Sequence, residues 1–333
     1  MLNYHPPINL PRETVPQLII VIDTEEEFDW SSPPDKHANS VTAMEKIHLV
    51  QDIFDEYQIK PCYVIDYPIA SQAAGYEPLL DIYQKDNCEI GAHLHPWVNP
   101  PFEEALTISN MYPGNLSRAL EFAKLKNLKE QIQAVFDFSP TIYKAGRYGV
   151  KENTTAIMAE LGFDIDLSIC TSYDYHADGG PDFSDASSDP FWFGPDNQML
   201  EIPLSGAFVG SAGSLSKNLY NLAGHLNVIK ARGILSRLNI VDRLMLSPEG
   251  YSTDEHIKLT KFLYNKGVRT FTWNFHSPSV VPGMTDYTKN QKELNAFLDS
   301  FRYFFDFFFK ELNGSASTPT QLKQMLEQKT ETL

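Results

Sequence analysis

The sequence contains little cysteine. Its 333 residues include only Cys62, Cys88 and Cys170, and no CxxC spacing occurs. An odd, widely separated set argues against a disulfide framework and against a thiolate zinc site. The start of the chain also lacks the basic and apolar regions of a signal peptide. We therefore expect a cytoplasmic protein.

Positive charge is also scarce. Lysine and arginine number 27 against 43 aspartates and glutamates, so the formal net charge is −16. Nucleic acids and anionic membranes bind positive surfaces, so we expect neither as a partner. No apolar run is long enough to cross a bilayer. No GxGxxG or GxxxxGKS/T motif follows a predicted strand, which removes the usual phosphate-binding reason for an open nucleotide-binding sheet.

The sequence does contain an alternation of short apolar runs and longer helical stretches. The runs, which predict strands, cover 18–23, 60–66, 88–95, 141–146, 163–169, 199–206, 243–250 and 268–276. Apolar spacing predicts helices over 41–58, 117–136, 152–162, 214–238, 253–266 and 294–312. This alternation favours an α/β fold with a closed or nearly closed (β/α) barrel of seven or eight strands. An open doubly wound sheet is the alternative.

We divide the chain into three parts. An N-terminal arm covers 1–17, a single barrel domain covers 18–313, and a polar C-terminal tail covers 314–333. The helix predicted over 294–312 has one strongly apolar face, formed by Phe297, Phe301, Phe305, Phe308 and Leu312. We expect this face to pack on the barrel, and a homodimer contact is the alternative.

The stretch LIIVIDTEEEFDW at 18–30 runs from a predicted buried strand into a cluster of carboxylates. Like charges so close together are costly unless a cation or a proton relieves them. Side chains alternate along a strand, so Asp23 and Glu25 point the same way, as do the two histidines at 93 and 95. One carboxylate and two imidazoles form a common zinc set with a fourth position for water, although iron, cobalt and manganese accept the same ligands. A second carboxylate beside the ion can act as general base towards that water.

Other predicted strands also end in polar residues, namely Asp66, Lys144 followed by Arg147, Glu249, and His276. The carboxyl ends of parallel strands in a barrel open on one face. We therefore expect these side chains to meet the acids and histidines in one pocket. Each residue alone has an ordinary structural explanation, such as a solvated loop or a core histidine. Their shared position at strand ends favours a functional one.

Four motifs, in chain order, resemble those of a known enzyme family. VIDTEEEFDW, EIGAHLHPW, YKAGRYG and NFHSPSVVPG are similar to the motifs of the NodB-homology polysaccharide deacetylases, carbohydrate esterase family four. SPEG at 247–250 and GPDFSD at 180–185 resemble the WalW-type subgroup. The resemblance covers roughly 18–312. It implies a distorted (β/α) barrel and a metal-dependent hydrolase that removes N- or O-linked acetyl groups from a carbohydrate.

The resemblance also implies catalytic roles. Asp23 matches the base that takes a proton from metal-bound water, and His276 matches the general acid that protonates the leaving group. Arg147 resembles the arginine that orients the base, with Lys144 close enough to compete for that role.

The implied metal is a divalent ion, in the first place Zn²⁺, with Co, Mn or Fe as alternatives. Glu25 matches the acidic ligand in members with one residue between the two acids, and His93 matches the first metal histidine. The family's second metal histidine lies four residues after the first, where this chain has Trp97, so His95 is the nearest candidate. A glutamate reaches one methylene further than the usual aspartate. These departures leave open an altered metal geometry or a site without metal.

The implied substrate is an acetylated glycan or sugar. The candidates for binding it are the remaining polar strand ends and rim aromatics, Asp66, Trp97, Lys144, Tyr148, Glu249 and Trp30. Two long loops, 96–116 and 173–198, are of the kind that builds a binding rim or lid.

Two other functions stay open at this point. The same scaffold could hydrolyse a C–N bond in a small amide or ureide, with or without metal. The missing signal peptide favours this reading, because structural polysaccharides lie outside the cytoplasm. The barrel could also bind a glycan without chemistry, although binding alone needs no matched base and acid.

Overall fold

The computed structural model describes residues 6–29, 32–224 and 231–330. Within these ranges the strands are β1 (Gln17–Thr24), β2 (Cys62–Ile65), β3 (Glu89–Leu94), β4 (Ile142–Ala145), β5 (Ile165–Asp166), β6 (Phe191–Phe193), β7 (Met199–Glu201), β8 (Gly206–Val209), β9 (Asp242–Met245), β10 (Thr270–His276) and β11 (Ser315–Ala316). The α-helices are α1 (His48–Glu56), α2 (Tyr67–Ser71), α3 (Ala73–Gln84), α4 (Arg118–Phe136), α5 (Glu152–Glu160), α6 (Ser216–Gly224), α7 (Ala231–Arg237), α8 (Thr253–Lys266), α9 (Gln291–Asp306) and α10 (Pro319–Thr330).

The main sheet has the strand order β10–β1–β2–β3–β4–β5–β7–β6, and β11 pairs with the start of β1. Neighbours from β10 to β7 are parallel, while β6 runs antiparallel to β7 at the edge. The sheet curls around an inner apolar cluster to which β1, β2, β4, β5 and β7 all contribute. The prediction of an α/β fold with a distorted barrel of seven or eight parallel strands is therefore confirmed.

Strand β1 shows why its sequence is a continuous apolar run. Leu18 and Ile20 pack into the cluster under the surrounding helices, whereas Ile19 and Val21 belong to the inner cluster. A strand buried on both faces has no place for polar residues until it reaches the end of the barrel. The next inward position after Val21 is Asp23, which lines the cavity at that end.

Beyond β10 the wall continues through isolated hydrogen bonds instead of a ladder, to the segments that follow β7 and β9. Ser205 N donates to Thr272 O at 3.3 Å, and Asn274 N donates to Leu246 O at 3.1 Å. The run at 243–250 was predicted as a strand of the parallel sheet, and this is wrong. Its strand, β9, instead pairs antiparallel with β8, which lies in a segment too rich in Gly and Ser to predict a strand.

The predicted helices are reproduced most closely where end signals are strong. Helix α8 matches its predicted span because Ser252 and Glu255 form a capping box at its start and Gly267, at φ +105°, ends it. The stretch at 214–238 contains α6 and α7, and its central part, 225–230, lies outside the described residues. Helices α2 and α3 were not predicted, because Pro68 and Pro78 interrupt their pattern.

The aromatic face predicted over 294–312 packs on the chain's own barrel. Helix α9 and the π-helical turn that follows it, Phe307–Glu311, cover this region. Trp273 of β10 has its ring centroid 4.5 Å from that of Phe301 and 5.3 Å from that of Phe305. Because the barrel already occupies this face, it is not available for the alternative homodimer contact.

The stretch after Gly314 was expected to be a polar tail, and the structure corrects this. Strand β11 pairs with β1, and α10 places Leu322 and Leu326 in the inner cluster. These two leucines are four residues apart, so they lie on one narrow stripe of the helix, and Met325 packs beside them. Helix α10 therefore closes the end of the barrel where β1 begins. Among the described residues, none of the helices combines the length and hydropathy that spanning a bilayer requires.

Candidate active site

The carboxyl ends of the parallel strands surround a cavity of about 990 Å³. Seven of the predicted site residues line it, namely Asp23, Glu25, His93, His95, Arg147, Tyr148 and His276. They reach it from β1, β3, β10 and the segment after β4, which are parts of one continuous run of paired strands.

Glu25, His93 and His95 form a buried cluster at the bottom of the cavity. Glu25 Oε2 lies 3.5 Å from His93 Nε2 and 3.3 Å from His95 Nε2. That oxygen is buried without a hydrogen-bond partner among the described side chains and backbone. Burial also raises the pKa of Glu25. A divalent cation would satisfy this oxygen and both nitrogens, so the donor set fits a metal site.

Hydrogen bonds on the far side of each imidazole fix its orientation. His93 Nδ1 lies 3.0 Å from Lys144 O, and His95 Nδ1 lies 2.8 Å from Glu26 Oε2. Both oxygens accept, so each Nδ1 carries the proton and each Nε2 turns its lone pair towards Glu25. Burial lowers the pKa of His93, and it lowers the pKa of His95 to about 4. Both rings are therefore neutral at pH 7, as metal ligands must be.

A second layer of buried residues supports His95. Glu26 Oε1 accepts from Trp97 Nε1 at 2.8 Å, and the Trp97 indole stacks on His95 with ring centroids 4.2 Å apart. Asp66 Oδ2 accepts from Glu26 N at 2.8 Å, while its other oxygen caps α2 through Ile69 N. Asp66 and Trp97 were predicted to bind substrate, but both are buried and neither lines the cavity. The sequence analysis did not single out Glu26, because it lies beyond the end of β1 and nothing in an EEE run distinguishes a buried glutamate from a solvated one.

Asp23 is held by a lysine. Lys144 Nζ lies 2.5 Å from both carboxylate oxygens, and Asn274 Nδ2 donates to Oδ1 at 3.0 Å. Burial favours the protonated acid, but the charge and hydrogen bond of Lys144, together with the neighbouring His93 and His276, outweigh it and lower the pKa of Asp23 below its ordinary range. Lys144 was predicted to bind substrate, and it makes the contact that the resemblance assigned to Arg147.

Arg147 points along the cavity wall. Its Nη2 donates to Asp178 Oδ2 and to the Tyr112 hydroxyl, each at 3.1 Å. Arg147 and Tyr148 both have positive φ, at 52° and 59°. This left-handed turn carries Arg147 out of the direction of β4, and it places the Tyr148 ring beside the Lys144 ammonium, 4.9 Å from its centroid.

His276 faces Asp23 across the paired strands β1 and β10. Its Nε2 lies 3.6 Å from Asp23 Oδ2, and its Nδ1 lies 2.6 Å from Glu249 Oε2. Burial disfavours the imidazolium, but the carboxylates of Glu249 and Glu25 outweigh it and raise the pKa of His276 to about 10. Glu249, predicted to bind substrate, is buried and keeps His276 charged and oriented.

The rim of the cavity is aromatic. The predicted rim loops supply Tyr112 and Tyr175, and a later segment supplies Tyr287. None of these three was predicted, whereas Tyr148, which also lines the cavity, was. Loop tyrosines carry no periodic signal, so their convergence was not readable from the sequence. Trp30, another predicted substrate-binding residue, lies outside the described residues.

No family model and no curated protein matches this chain. Solved structures do match it. A provisionally assigned polysaccharide deacetylase from Mycobacterium smegmatis is 12% identical, with a TM-score of 0.57 over 99% of this chain and 96% of that one. A provisionally assigned glycoside hydrolase or deacetylase from Parabacteroides distasonis is 11% identical, with a TM-score of 0.57 over 94% of this chain and 72% of that one.

These likenesses define the class of fold. The chain has the curled parallel α/β half-barrel of the proteins described as polysaccharide deacetylases. At identities of 12% and 11% the comparison extends to the fold and no further.

Proposed function

We propose that the protein is a metal-dependent carbohydrate deacetylase of the NodB-homology family, a hydrolase that removes N- or O-linked acetyl groups from a sugar or glycan. The observation that carries the proposal is the meeting of two sets of residues in one cavity. The first set is Glu25, His93 and His95, a cluster with the donor atoms of a divalent site. The second is Asp23 facing His276, a carboxylate and an imidazole whose environments push their pKa values apart.

Glu25, His93 and His95 would hold the metal through one oxygen and two Nε2 atoms. When bound, a divalent ion supplies Lewis acidity, which polarises an acetyl carbonyl and makes a water acidic enough to act as nucleophile near neutral pH. Zn²⁺ suits this donor set, and cobalt, manganese and iron accept it as well. The replacement of the family's second histidine by His95 is supported by the convergence of its Nε2 with the other two donors.

Asp23 and His276 supply the proton transfers. Asp23 is ionised at neutral pH and accepts the proton of the attacking water. Because Lys144 lowers the basicity of Asp23, this carboxylate accepts a proton only from water made acidic within the cavity. His276 is protonated at neutral pH and donates from Nε2 to the leaving nitrogen or oxygen of the sugar. Base and acid are thus in the required states at the same pH.

The shape of the cavity supports a sugar substrate. Its volume of about 990 Å³ is at the upper end for small-ligand sites and leaves room for more than one sugar ring. Tyr112, Tyr148, Tyr175 and Tyr287 present rings around it, and flat rings of this kind offer an apolar face with a polar tip.

Two finer assignments belong to the same proposal. A cytoplasmic location is supported by Cys62, Cys88 and Cys170, which are free and buried, as in a reducing compartment. The WalW-type subgroup is supported by its two motifs, because one supplies Glu249, which orients His276, and the other supplies the buried Phe183.

Release of acetate tests the proposal. The purified chain, supplied with Zn²⁺, is assayed on N-acetylated chito-oligosaccharides and O-acetylated sugars, with simple amides and ureides as the comparison. We expect acetate from at least one acetylated sugar and none from a variant with Asp23→Asn. Turnover confined to ureides or amides would assign the site to the alternative C–N hydrolase, and a wild-type protein inert on every substrate would leave only glycan binding.

A further inference from the structure

The chain between β7 and β9 differs in charge from the rest of the protein. Residues 202–241 contain no aspartate or glutamate, although the whole chain carries a formal net charge of −16. The described part of this segment includes α6 and α7 and presents Lys217, Arg232 and Arg237. Lys217 pairs with Asp185 at 2.6 Å, so the exposed Arg232 and Arg237 provide most of the local positive charge. We call residues 215–224 and 231–238 the basic helical pair.

The basic helical pair also exposes large apolar side chains. Of the ten such side chains exposed among the described residues, four lie here, at 60% for Leu215, 61% for Leu222, 48% for Ile234 and 63% for Leu238. Leu215 and Leu222 are seven residues apart, and Ile234 and Leu238 are four apart. Leu222 and Ile234 lie within α6 and α7, while Leu215 immediately precedes α6 and Leu238 immediately follows α7. Exposed apolar stripes beside arginines are typical of helices that lie in a lipid interface.

We propose that the basic helical pair docks the protein onto an anionic lipid surface. The nine residues of α6 extend about 14 Å, which is too short to cross a bilayer and suits a helix lying in its surface. The negative net charge of the whole chain argued against a membrane partner. Binding, however, depends on the charge of the local surface, and this segment contains basic but no acidic residues.

Charge also favours a lipid surface over a second copy of the chain. A symmetric dimer formed through this face would bring two surfaces together that both carry Arg232 and Arg237. Repulsion between these like charges opposes such a contact, whereas anionic headgroups attract the same arginines. The basic helical pair is therefore complementary to a lipid surface and not to itself.

The pair adjoins the wall of the cavity. Arg243 of β9 has its guanidinium 5.3 Å from the ring of Tyr220 in α6 and 3.7 Å from the ring of Tyr173. Tyr173 stacks on Tyr175, which lines the cavity. A lipid surface at the pair thus lies near the entrance to the cavity, a position that suits a glycan carried on a lipid. This last extension, unlike the docking itself, rests on the proposed function.

Sedimentation with vesicles tests the docking without any substrate. The full chain is mixed with vesicles of phosphatidylcholine and phosphatidylglycerol, or of phosphatidylcholine alone, at low and high salt. We expect the protein to sediment with the mixed vesicles and to be released by salt. The combined change Leu222→Asn and Leu238→Asn should weaken binding on the order of tenfold per leucine. The combined change Arg232→Gln and Arg237→Gln should weaken it about fivefold per charge.

Two matched controls separate docking from general surface effects. Tyr303→Asn removes an apolar side chain that is 71% exposed on α9, and Lys126→Gln removes an exposed cation on α4. Both should bind vesicles as the wild type does, and circular dichroism should show all variants folded.

The proposal is overturned if the wild type does not sediment with the mixed vesicles, or if the leucine variant binds them as tightly as the wild type does. Concentration-dependent self-association that the leucine variant abolishes, without vesicle binding, would assign the face to a second copy. Because vesicle binding needs no turnover, failure of the deacetylase assay would leave this result standing.

Discussion

Two residues of opposite charge, Asp23 and His276, face each other at 3.6 Å and owe their charge states to different neighbours. Lys144 keeps Asp23 ionised, and Glu249 keeps His276 protonated. Each neighbour is buried, so little solvent screens either interaction. Replacing one neighbour should therefore move one pKa and leave the other nearly in place.

Lys144→Met tests the first neighbour. The pKa of Asp23 lies below its ordinary range because of Lys144, so loss of the cation raises it. The acidic limb of the pH profile of kcat/KM should move to higher pH by on the order of one unit or more. The unpaired buried carboxylate should also reduce the free energy of unfolding by about 3–5 kcal/mol. Arg147→Met is the matched control and should leave the acidic limb in place. If Arg147→Met moves the acidic limb and Lys144→Met does not, Arg147 is the residue that orients Asp23.

Glu249→Gln tests the second neighbour. The pKa of His276 is raised to about 10, so the imidazolium persists well above neutral pH in the wild type. Without the carboxylate the pKa falls, and the alkaline limb of the kcat/KM profile should move to lower pH by one unit or more. Asp254→Asn, which removes an exposed carboxylate at the start of α8, should leave the limb unmoved. An unchanged alkaline limb in Glu249→Gln would exclude His276 as the general acid.

The alternation of side chains along the strands predicted many of the residues that line the cavity. The remaining contacts depend on backbone conformations that the sequence does not indicate. Asp23, Glu25, His93 and His95 were predicted to share a pocket because they alternate along strands that end together, and they do line one cavity. The sequence offered both Arg147 and Lys144 as partners of Asp23 but did not show which of them makes the contact. The outcome depends on two non-glycine residues in left-handed conformations, which the sequence does not signal.

At the scale of helices and strands, the apolar runs predicted the parallel strands because a strand buried on both faces has to be apolar throughout. Short amphipathic pieces were harder to predict. Helix α10 buries Leu322 and Leu326 in the inner cluster with Met325 partly buried beside them, and its other residues are mostly polar, so the composition of its segment indicated a tail. Strand β8 is four residues long and partly exposed, so no run marked it. Where tertiary packing supplies most of the stability of an element, the local sequence carries little signal.

Leu322→Ala tests the contribution of α10 to the barrel. This side chain is buried in the inner cluster, so its truncation leaves a cavity at the end where β1 begins. We expect the free energy of unfolding to fall by about 2–5 kcal/mol, measured by urea denaturation. Gln324→Ala, at an exposed position of the same helix, should change it by less than about 0.5 kcal/mol. Equal and small effects of both changes would mean that α10 does not close the barrel in solution.

At the scale of the whole molecule, one end of the barrel holds the buried cluster of Glu25, His93 and His95, and helix α10 closes the other end. Burying these polar groups lowers the stability of the folded chain. Glu25 contributes a buried oxygen that has no hydrogen-bond partner in the described part of the chain, beside two neutral imidazoles. A ligand that satisfies these atoms in the folded state alone must stabilise that state. Stability and occupancy of the site are thus coupled.

Thermal unfolding with and without Zn²⁺ measures this coupling. Saturating metal at about a hundredfold above its Kd should add about 2.7 kcal/mol and raise the Tm of the wild type. His93→Ala should abolish both the rise in Tm and turnover. Asp23→Asn should keep the rise in Tm and lose turnover, which separates holding the metal from proton transfer. If neither Zn²⁺ nor any other divalent ion tested raises the Tm of the wild type, the metal site is contradicted.

Beyond β10 the wall of the half-barrel continues through isolated hydrogen bonds at Ser205 and Leu246 instead of a ladder of residue pairs. Strand β10 is bound to β1 along seven residue pairs, and the last pair is Asp23 with His276. Segments held by fewer hydrogen bonds open locally at a lower free energy. We therefore expect the wall to yield at Ser205 and Leu246 before β1 and β10 separate, so that the distance between Asp23 and His276 is kept while the mouth of the cavity widens.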